Sequence, residues 1–323
     1  MTKLTTKGVA TNGILGLYKN GNYSVVICSD GTKLRFADVD EFRPTHPESI
    51  DLLITKSCDL GCPMCHEDAR PEGKHGDILN LPFLDTMLPH TEIAIGGGNP
   101  LEHPDLDEFL VSLRDRRLIA NITVNQKHFM MPENRRRLRY YMQNGLLYGI
   151  GISLTEGSGE LIGALSEFPT AVIHVIEGYT PIEEIRKLYG IGMKILILGY
   201  KTFRRGSELY HSNGEIAING RRWHDAYLRE LMEQGGFSAI SFDNLAIRHL
   251  ELKDRMNQSE WSKFYMGDDG QFTMYVDAVN RRFSQNSTSY ERYDMLDDIK
   301  EMFAVVSRSS SRGESQFTKH KIT

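Results

Sequence analysis

The middle of the chain alternates between short apolar runs and longer amphipathic stretches, and this pattern starts at Asp51. Alternation of this kind is typical of βα units, in which buried parallel strands are covered by the helices that connect them. The pattern therefore predicts an α/β fold built on a parallel sheet. Six candidate strands carry the apolar runs: residues 52–55, 92–95, 119–124, 148–154, 171–176 and 194–198.

Helices are predicted between and after these strands. Residues 104–116 begin with proline followed by acidic residues, and residues 132–143 end at Asn144 and Gly145, which are ordinary helix start and stop signals. A third helix is predicted over residues 181–189. The regularity then weakens. We expect a polar segment at 201–221, a seventh strand-like run at 239–242, a hairpin at 272–283, and helices at 228–232, 243–255 and 295–306.

The first fifty residues have a different pattern, which predicts a small β meander. Apolar runs at 13–18, 23–28 and 33–36 are separated by turns that contain Asn-Gly or Asp-Gly. A chain of 323 residues fits either two domains or one large α/β barrel with appendages. We predict the meander at 1–48, a barrel-like region at 49–235, an extension that closes it at 236–306, and a disordered polar tail at 307–323.

Composition narrows the classes of function. Hydrophobic residues make up 40% of the chain, which is enough for a sizeable core. The formal charge of −5 leaves no overall basic surface for nucleic acid. Arg135, Arg136, Arg137 and Arg139 form one basic run, interpreted as a solvated helix face with phosphate binding as the alternative. Residues 1–13 lack the apolar core of a signal peptide and no run of 18 apolar residues occurs, so we expect a cytoplasmic protein without a membrane segment.

The placement of the cysteines carries the first chemical signal. Cys58, Cys62 and Cys65 follow the first candidate strand of the sheet with the spacing C-x3-C-x2-C. Three thiolates on one short loop can bind three irons of a cubane [4Fe–4S] cluster and leave the fourth iron without a protein ligand. Barrel enzymes place their active sites at this end of their strands. The alternative is a zinc site that adds His66 or His75 to the thiols.

At this loop the chain resembles the radical S-adenosylmethionine (radical SAM) superfamily, whose shared mark is a C-x3-C-x2-C loop after the first strand of a partial (β/α)6 barrel. A second segment, GGGNPLEHPDL at residues 96–106, follows the second strand and resembles the family segment G-G-E-P-L-x-x-P-D-L. The resemblance covers residues 51–201. It implies a partial (β/α)6 barrel of the radical SAM type, one [4Fe–4S] cluster, and S-adenosylmethionine (SAM) bound to the open iron.

The resemblance also implies which residues contact SAM. Glycines at 96–98 let the backbone approach the methionyl end of SAM. Asn99 replaces the usual glutamate, and Met64 stands where the family usually has an aromatic residue beside the adenine. Polar residues at the ends of the third and fourth strands complete the set. The predicted SAM-binding residues are Gly96, Gly97, Gly98, Asn99, Met64, Thr123, Asn125 and Ser153.

In the radical SAM family, cleaving SAM yields a 5′-deoxyadenosyl radical that removes a hydrogen atom from the substrate. A peptide and a small nucleotide-like or amino-acid-like molecule both fit this sequence, and the meander could pair with a peptide strand. The family implies a flavodoxin or ferredoxin as electron donor. No cysteine follows Cys65, so one cluster is the maximum, and Cys28 is interpreted as a buried strand thiol.

Two further predictions concern the surroundings of the cysteines. The polar loop at 66–78 is expected to cover the cluster and touch the substrate, with a solvated connector as the alternative. Outside catalysis, two other functions stay open. One is a noncatalytic zinc-binding interaction module, and the other is a sensor that binds the cluster and SAM without turnover.

Overall fold

The computed structural model describes residues 13–39 and 41–316, with side chains up to residue 308. The described strands form two sheets, one of three strands and one of ten. The strands are β1 Ile14–Asn20, β2 Tyr23–Cys28, β3 Lys33–Phe36, β4 Ser49–Thr55, β5 Glu92–Gly97, β6 Ile119–Asn125, β7 Gly149–Ser153, β8 Val172–Ile176, β9 Lys194–Leu198, β10 Ala239–Phe242, β11 Thr273–Asp277, β12 Arg282–Ser284 and β13 Tyr293–Asp294.

Helices connect most of these strands. Several begin at a side-chain cap, as where Ser158 accepts a hydrogen bond from the Leu161 amide. A π-helical turn at Trp223–Tyr227 joins α7 to α8 without a break. The helices are α1 Leu106–Asp115, α2 Gln126–Met130, α3 Pro132–Gln143, α4 Gly159–Leu165, α5 Ile182–Arg186, α6 Arg205–Ser212, α7 Glu215–Arg222, α8 Leu228–Gln234, α9 Asn244–His249, α10 Leu252–Arg255, α11 Gln258–Phe264 and α12 Ile299–Gln316.

The large sheet confirms the predicted α/β fold. All six predicted strands are present as β4 to β9, and they lie side by side in chain order with parallel pairing. The predicted seventh run is β10, which pairs in parallel with β9. At the other edge, β11 pairs in parallel with β4, so that Tyr275 lies opposite Asp51. The strand that leads into the cysteines therefore has a partner on both sides.

The two faces of the large sheet differ in character. Parallel strands in chain order are joined by right-handed crossovers, which place the connecting helices on one face. Ile50 and Leu52 of β4 belong to the main hydrophobic core together with Phe109 of α1 and Tyr141 of α3. Because side chains alternate along a strand, Asp51 lies on the opposite face. We call this opposite face the inner face.

The three-stranded sheet packs at the amino ends of the large sheet's strands. Tyr23 and Val25 share a small core with Ile119, the first residue of β6, and with Phe272, which precedes β11. Lys194, the first residue of β9, donates a hydrogen bond to the carbonyl of Asp30. The predicted β meander is therefore present over its described part, and it lies at the end of the strands opposite to the cysteine loop.

A buried carboxylate connects the meander to the large sheet. Glu48, just before β4, is fully buried and accepts two hydrogen bonds from the Arg35 guanidinium, at 2.7 and 3.0 Å. Tyr23 donates its hydroxyl to the same carboxylate at 2.6 Å, and the Lys33 ammonium lies 3.6 Å away. These partners neutralise a charge that would otherwise be costly to bury.

The structure corrects three sequence-based predictions of secondary structure. The predicted polar segment 201–221 contains α6 and most of α7. The single helix predicted at 243–255 is two helices, because Glu251 adopts a left-handed conformation with a φ of 49°. The last helix begins later than predicted, at Ile299, because the Asp298 side chain accepts the amide hydrogens of residues 300 and 301.

The predicted tail at 307–323 begins inside α12, which runs to Gln316. The rest of that segment and residues 1–12 lie outside the described residues. The predicted domain boundaries stay predictions. No helix in the described part of the chain is long and apolar enough to span a membrane.

Two smaller predictions concern side chains away from the cysteine loop. Cys28 is buried at the end of β2, as predicted. The basic run lies on α3, where Arg137 pairs with Asp107 and Arg139 with Glu167. These ion pairs agree with the interpretation of the run as a helix face.

Candidate active site

The three cysteines of the predicted metal site lie on the loop that follows β4. The Cys58 amide donates to the carbonyl of Arg70 at 2.9 Å, and the Cys65 amide donates to the carbonyl of Cys62 at 3.2 Å. Gly61 has a φ of 58°, which the turn between the first two cysteines requires. All three cysteines are free thiols and partly buried.

The chemistry of this donor set fits an iron–sulfur cluster. Burial raises the pKa of the Cys58 and Cys62 thiols, and the neighbouring thiolates add to the rise because like charges repel. The contribution of Cys62 and Cys65 to the raised pKa of Cys58 places the three side chains near one another, and a bound cation removes the repulsion between thiolates. The three thiols therefore fit a [4Fe–4S] cluster, in which three of the irons are bound by protein thiolates.

The glycine segment after β5 packs directly on the cysteine loop. The Gly98 amide donates to the carbonyl of Thr55, and the Asn99 amide donates to the carbonyl of Ser57, both at 2.7 Å. A Cβ atom on Gly98 would lie 2.1 Å from the Ser57 carbonyl oxygen, and one on Gly97 would lie 2.3 Å from that of Thr55. Close backbone packing therefore requires these two glycines.

Gly96 differs from its two neighbours. A Cβ atom there would meet no atom within 4 Å, so open space adjoins the backbone at this position. Such a space fits the predicted approach of SAM to the glycine segment. The SAM contact predicted for Gly96 stays a prediction, whereas Gly97 and Gly98 have a structural reason that the sequence did not reveal.

Asn99 is already committed to bonds within its own turn. Its side chain is buried, accepts a hydrogen bond from the Leu101 amide and donates to Glu102 Oε1 at 3.0 Å. The other carboxylate oxygen of Glu102 accepts the Ser57 hydroxyl at 3.2 Å. The side chain of Asn99 therefore ties the glycine segment to the cysteine loop, and its predicted contact with SAM stays a prediction.

The predicted SAM contacts from the strand ends lie on neighbouring strands. Ser153 is in register with Asn125 on one side and with His174 on the other. Asn125 caps α2 by accepting the Lys127 amide at 2.9 Å. Thr123 Oγ1 lies 3.0 Å from the position a Cβ on Gly151 would take. The three residues are brought to one region, and their role in binding SAM stays a prediction.

The loop at 66–78 is fastened from several directions. Arg204 donates to the backbone and side chain of Glu67, at 2.9 and 3.2 Å, and Tyr275 donates its hydroxyl to Glu67 at 3.0 Å. Arg205 donates to the carbonyl of Ala69 at 2.6 Å. Gly206 of α6 lies beside the Met64 carbonyl. An ordered loop of this kind is more than a solvated connector, and its predicted contact with the substrate stays a prediction.

Asp51 lies on the inner face of β4, where water reaches its side chain although protein atoms surround it. Burial among protein atoms raises its pKa to about 6, with Lys201 opposing the rise and Asp269, Asp243 and Glu67 adding to it. Its side chain makes no hydrogen bond or ion pair with the other described residues. A charged residue between Ile50 and Leu52 was the available sequence signal.

His174 lies on the same inner face. Burial lowers its pKa to about 4, so the imidazole is neutral at pH 7. A Cβ on Gly151 would lie 2.3 Å from the His174 ring, so the ring covers that glycine. The small residue Ala94 is in register with Asp51. The small side chain of Ala94 thus adjoins Asp51, whereas the His174 ring occupies the space over Gly151.

His128 is a further residue that the sequence analysis missed. It lies on α2 and is buried, and its Nε2 is 2.8 Å from Oδ1 of Asp59, inside the cysteine loop. The His128 contact lowers the pKa of the Asp59 carboxyl. One ligand atom each from Cys58, Asp59 and His128 lie within 4.8 Å of one another. No local spacing links α2 to the loop, so only the fold brings them together.

Several solved structures are similar to this chain. The chain is similar to SuiB of Streptococcus suis bound to S-adenosylmethionine, with a TM-score of 0.56 and 10% identity, over 88% of this chain and 85% of that one. The chain has the fold of the radical SAM enzymes. The structure of SuiB bound to precursor peptide SuiA gives a TM-score of 0.50 and 16% identity, over 75% of this chain and 60% of that one.

At the level of sequence, the chain matches curated proteins over a shorter stretch. The chain is 27% identical over 97 residues to a probable GTP 3′,8-cyclase of Methanococcus maripaludis strain C5, which is 28% of this chain and 32% of the cyclase. The chain thus spans about a third of the length of the curated relatives it matches. No family model matches the chain. The predicted resemblance to the radical SAM superfamily is confirmed.

Proposed function

We propose that this chain is a radical SAM enzyme, which reductively cleaves S-adenosylmethionine and abstracts a hydrogen atom from a substrate. The observation that carries the proposal is the position of three free thiols, Cys58, Cys62 and Cys65, on the loop at the carboxyl end of β4 in a radical SAM fold. That end of a parallel sheet is where barrel enzymes gather their catalytic groups.

Different residues of the chain bind the cluster and SAM. The three thiolates hold one [4Fe–4S] cluster, which supplies the electron for cleavage of SAM when bound. The glycine segment is fastened to the cysteine loop by the bonds of Gly98 and Asn99, and the open space beside Gly96 receives SAM. The low-potential donor is a flavodoxin or a ferredoxin, and the cytoplasmic location stays a prediction.

We place the substrate on the inner face, where Asp51 and His174 lie and where the small residue Ala94 is in register with Asp51. A peptide is one candidate substrate class, supported by the precursor peptide bound to SuiB. A small nucleotide-like or amino-acid-like molecule is the other, supported by the similarity to a GTP 3′,8-cyclase.

The test is anaerobic reconstitution with iron and sulfide, followed by dithionite and SAM, with 5′-deoxyadenosine measured by mass spectrometry. We expect the wild-type chain to form it and Cys62→Ala to fall to the level of the protein-free reaction. Cys28→Ala is the matched control, because Cys28 is also a free thiol but is buried in the meander. This control should retain both iron and turnover.

Two results would count against the proposal. Equal 5′-deoxyadenosine from the wild type and Cys62→Ala would remove the cysteine loop from the chemistry. Failure of the metal-free chain to bind iron and sulfide in zinc-free buffer would favour the noncatalytic interaction module. An intact cluster that does not cleave SAM, even with peptide and nucleotide substrates present, would favour a sensor.

A further inference from the structure

A second set of ligands lies at the cysteine loop, formed by two residues of the loop and one residue of α2. Cys58 offers a sulfur, Asp59 a carboxylate oxygen and His128 a ring nitrogen, and these atoms lie within 4.8 Å of one another. The set shares only Cys58 with the three thiols. It combines the three ligand types that Zn²⁺ takes in proteins.

The separations in this set, all under 4.8 Å, differ by at most about 1.5 Å from those that a zinc ion requires. Zinc–ligand distances of 2.0–2.3 Å and a tetrahedral arrangement place neighbouring ligand atoms about 3.3 to 3.6 Å apart. The present separation of 2.8 Å between His128 Nε2 and Asp59 Oδ1 has to widen by less than about 1 Å. Asp59 is 65% exposed, so its side chain can move and water can occupy the fourth position.

Burial and a backbone hydrogen bond fix the position of His128. His128 is 4% exposed, and its carbonyl accepts a hydrogen bond from the Asn134 side chain at 2.9 Å. The two histidines that the sequence offered for zinc are engaged elsewhere. His75 Nδ1 lies 2.8 Å from the Thr55 hydroxyl, and His66 Nε2 lies 3.3 Å from Lys201 Nζ and from Glu67.

We propose that the chain without its cluster binds one Zn²⁺ through Cys58, Asp59 and His128, and that this ion excludes the cluster because Cys58 belongs to both sets. Binding displaces the thiol proton of Cys58 to solvent. The hydrogen that His128 Nε2 donates to Asp59 in the metal-free chain also leaves Nε2, and the neutral ring then carries its one hydrogen on Nδ1. The zinc state is thus a competing, inactive state of the cysteine loop. It does not depend on whether the loaded chain cleaves SAM.

The first experiment titrates the apo full-length chain, kept reduced and anaerobic, with Co²⁺ and then with Zn²⁺ against a chromophoric chelator. We expect a tetrahedral Co²⁺ spectrum with one thiolate band. His128→Gln and Cys58→Ser should lower the zinc affinity on the order of 100-fold, since even the loss of an outer-shell partner costs 10–100-fold. Cys62→Ser and Cys65→Ser are the matched controls and should change it less than about threefold.

The second experiment measures iron bound during reconstitution with one equivalent of Zn²⁺ present. Zinc should reduce iron binding in the wild-type chain and have little effect in His128→Gln, which keeps all three thiols. Circular dichroism of each variant identifies any that fails to fold, and Asp59→Asn then replaces a misfolded His128→Gln. An unchanged zinc affinity in His128→Gln, or an equal loss in Cys58→Ser, Cys62→Ser and Cys65→Ser, would overturn the proposal.

Discussion

Asp51 combines two properties that few strand residues share, since protein surrounds its carboxylate while water still reaches it. Its pKa of about 6 in the folded chain lies above the ordinary 3.8. The folded state therefore binds this proton more tightly than the unfolded state does, and stability falls as pH rises from about 4 to above 6. The loss is complete above the folded pKa.

Asp51→Asn removes this titration. We expect its melting temperature, relative to wild type, to be higher at pH 7.5 than at pH 4, as measured by calorimetry or circular dichroism. Asp38→Asn, at an exposed position of the meander, is the control for the loss of one carboxylate, and the change with pH for Asp51→Asn should exceed the change for this control. An equal difference for Asp51→Asn at both pH values would mean that Asp51 titrates as an ordinary surface carboxyl.

Gly98 and Gly96 provide a matched pair of positions within one segment. Alanine at 98 would place its Cβ 2.1 Å from the backbone oxygen of Ser57, whereas alanine at 96 has free space. We expect Gly98→Ala to lower the free energy of unfolding by roughly 2 kcal/mol or more, because the backbone atom that the new methyl group would overlap cannot move away as a side chain can. Iron bound after reconstitution should fall with it.

Gly96→Ala should keep both its stability and its iron. Because its methyl group enters the space assigned to SAM, we expect weaker SAM binding in an equilibrium dialysis of the cluster-loaded chain. Equal stability of the two variants would contradict the packing of residues 97–98 on the cysteine loop.

The role of a single residue could be predicted when the sequence pattern that marks it lies within one short segment. The cysteines and glycines stand at fixed spacings within short segments, and chemistry and spacing together predict a cluster and a SAM contact. His128 and Tyr275 carry no such signal, since their partners Asp59 and Glu67 are far away in the chain. Asp51 was visible only as a charge inside an apolar strand.

At the scale of elements, strands were predicted better than helices. Each buried strand of a parallel sheet is a short apolar run, and every such run from 52 to 198 became a strand. Helices α6 and α7 bury little besides Gly206 and Ile216, so tertiary contacts rather than apolar periodicity hold them. The left-handed residue between α9 and α10 interrupts a pattern that looks continuous in the sequence.

The contact between the meander and the large sheet depends on a buried ion pair. Arg35→Met leaves the Glu48 carboxylate without its two shortest charged hydrogen bonds. We expect a loss of about 3–5 kcal/mol in the free energy of unfolding by urea, because removing one partner of a buried pair leaves an uncompensated charge.

The control for this change is an exposed ion pair in the same region. Arg43 and Glu41 lie 2.9 Å apart with both side chains largely exposed. Arg43→Met should cost at most about 1 kcal/mol, since exposed pairs contribute little. Similar losses for Arg35→Met and Arg43→Met would show that the meander is not fastened through Glu48.

In the whole molecule, the meander and the cysteine loop lie at opposite ends of the same strands. A strand of seven residues such as β4 is about 23 Å long. A peptide paired with the edge of the meander would therefore have to pass along the full length of a strand to reach the cysteines. The predicted docking of a peptide on the meander therefore requires a substrate long enough to span one strand of the large sheet.

The pairing of β4 with β11 also determines when the cysteine loop is completed during synthesis. β4 and its cysteines are made early, but β11, Arg204 and Tyr275 emerge from the ribosome much later. At ordinary rates of translation the delay is on the order of ten seconds or more. During that time one edge of β4 has no strand beside it, and the loop at 66–78 lacks its contacts with Arg204 and Tyr275. We therefore expect the unpaired edge of β4 to make the nascent chain a client for chaperones.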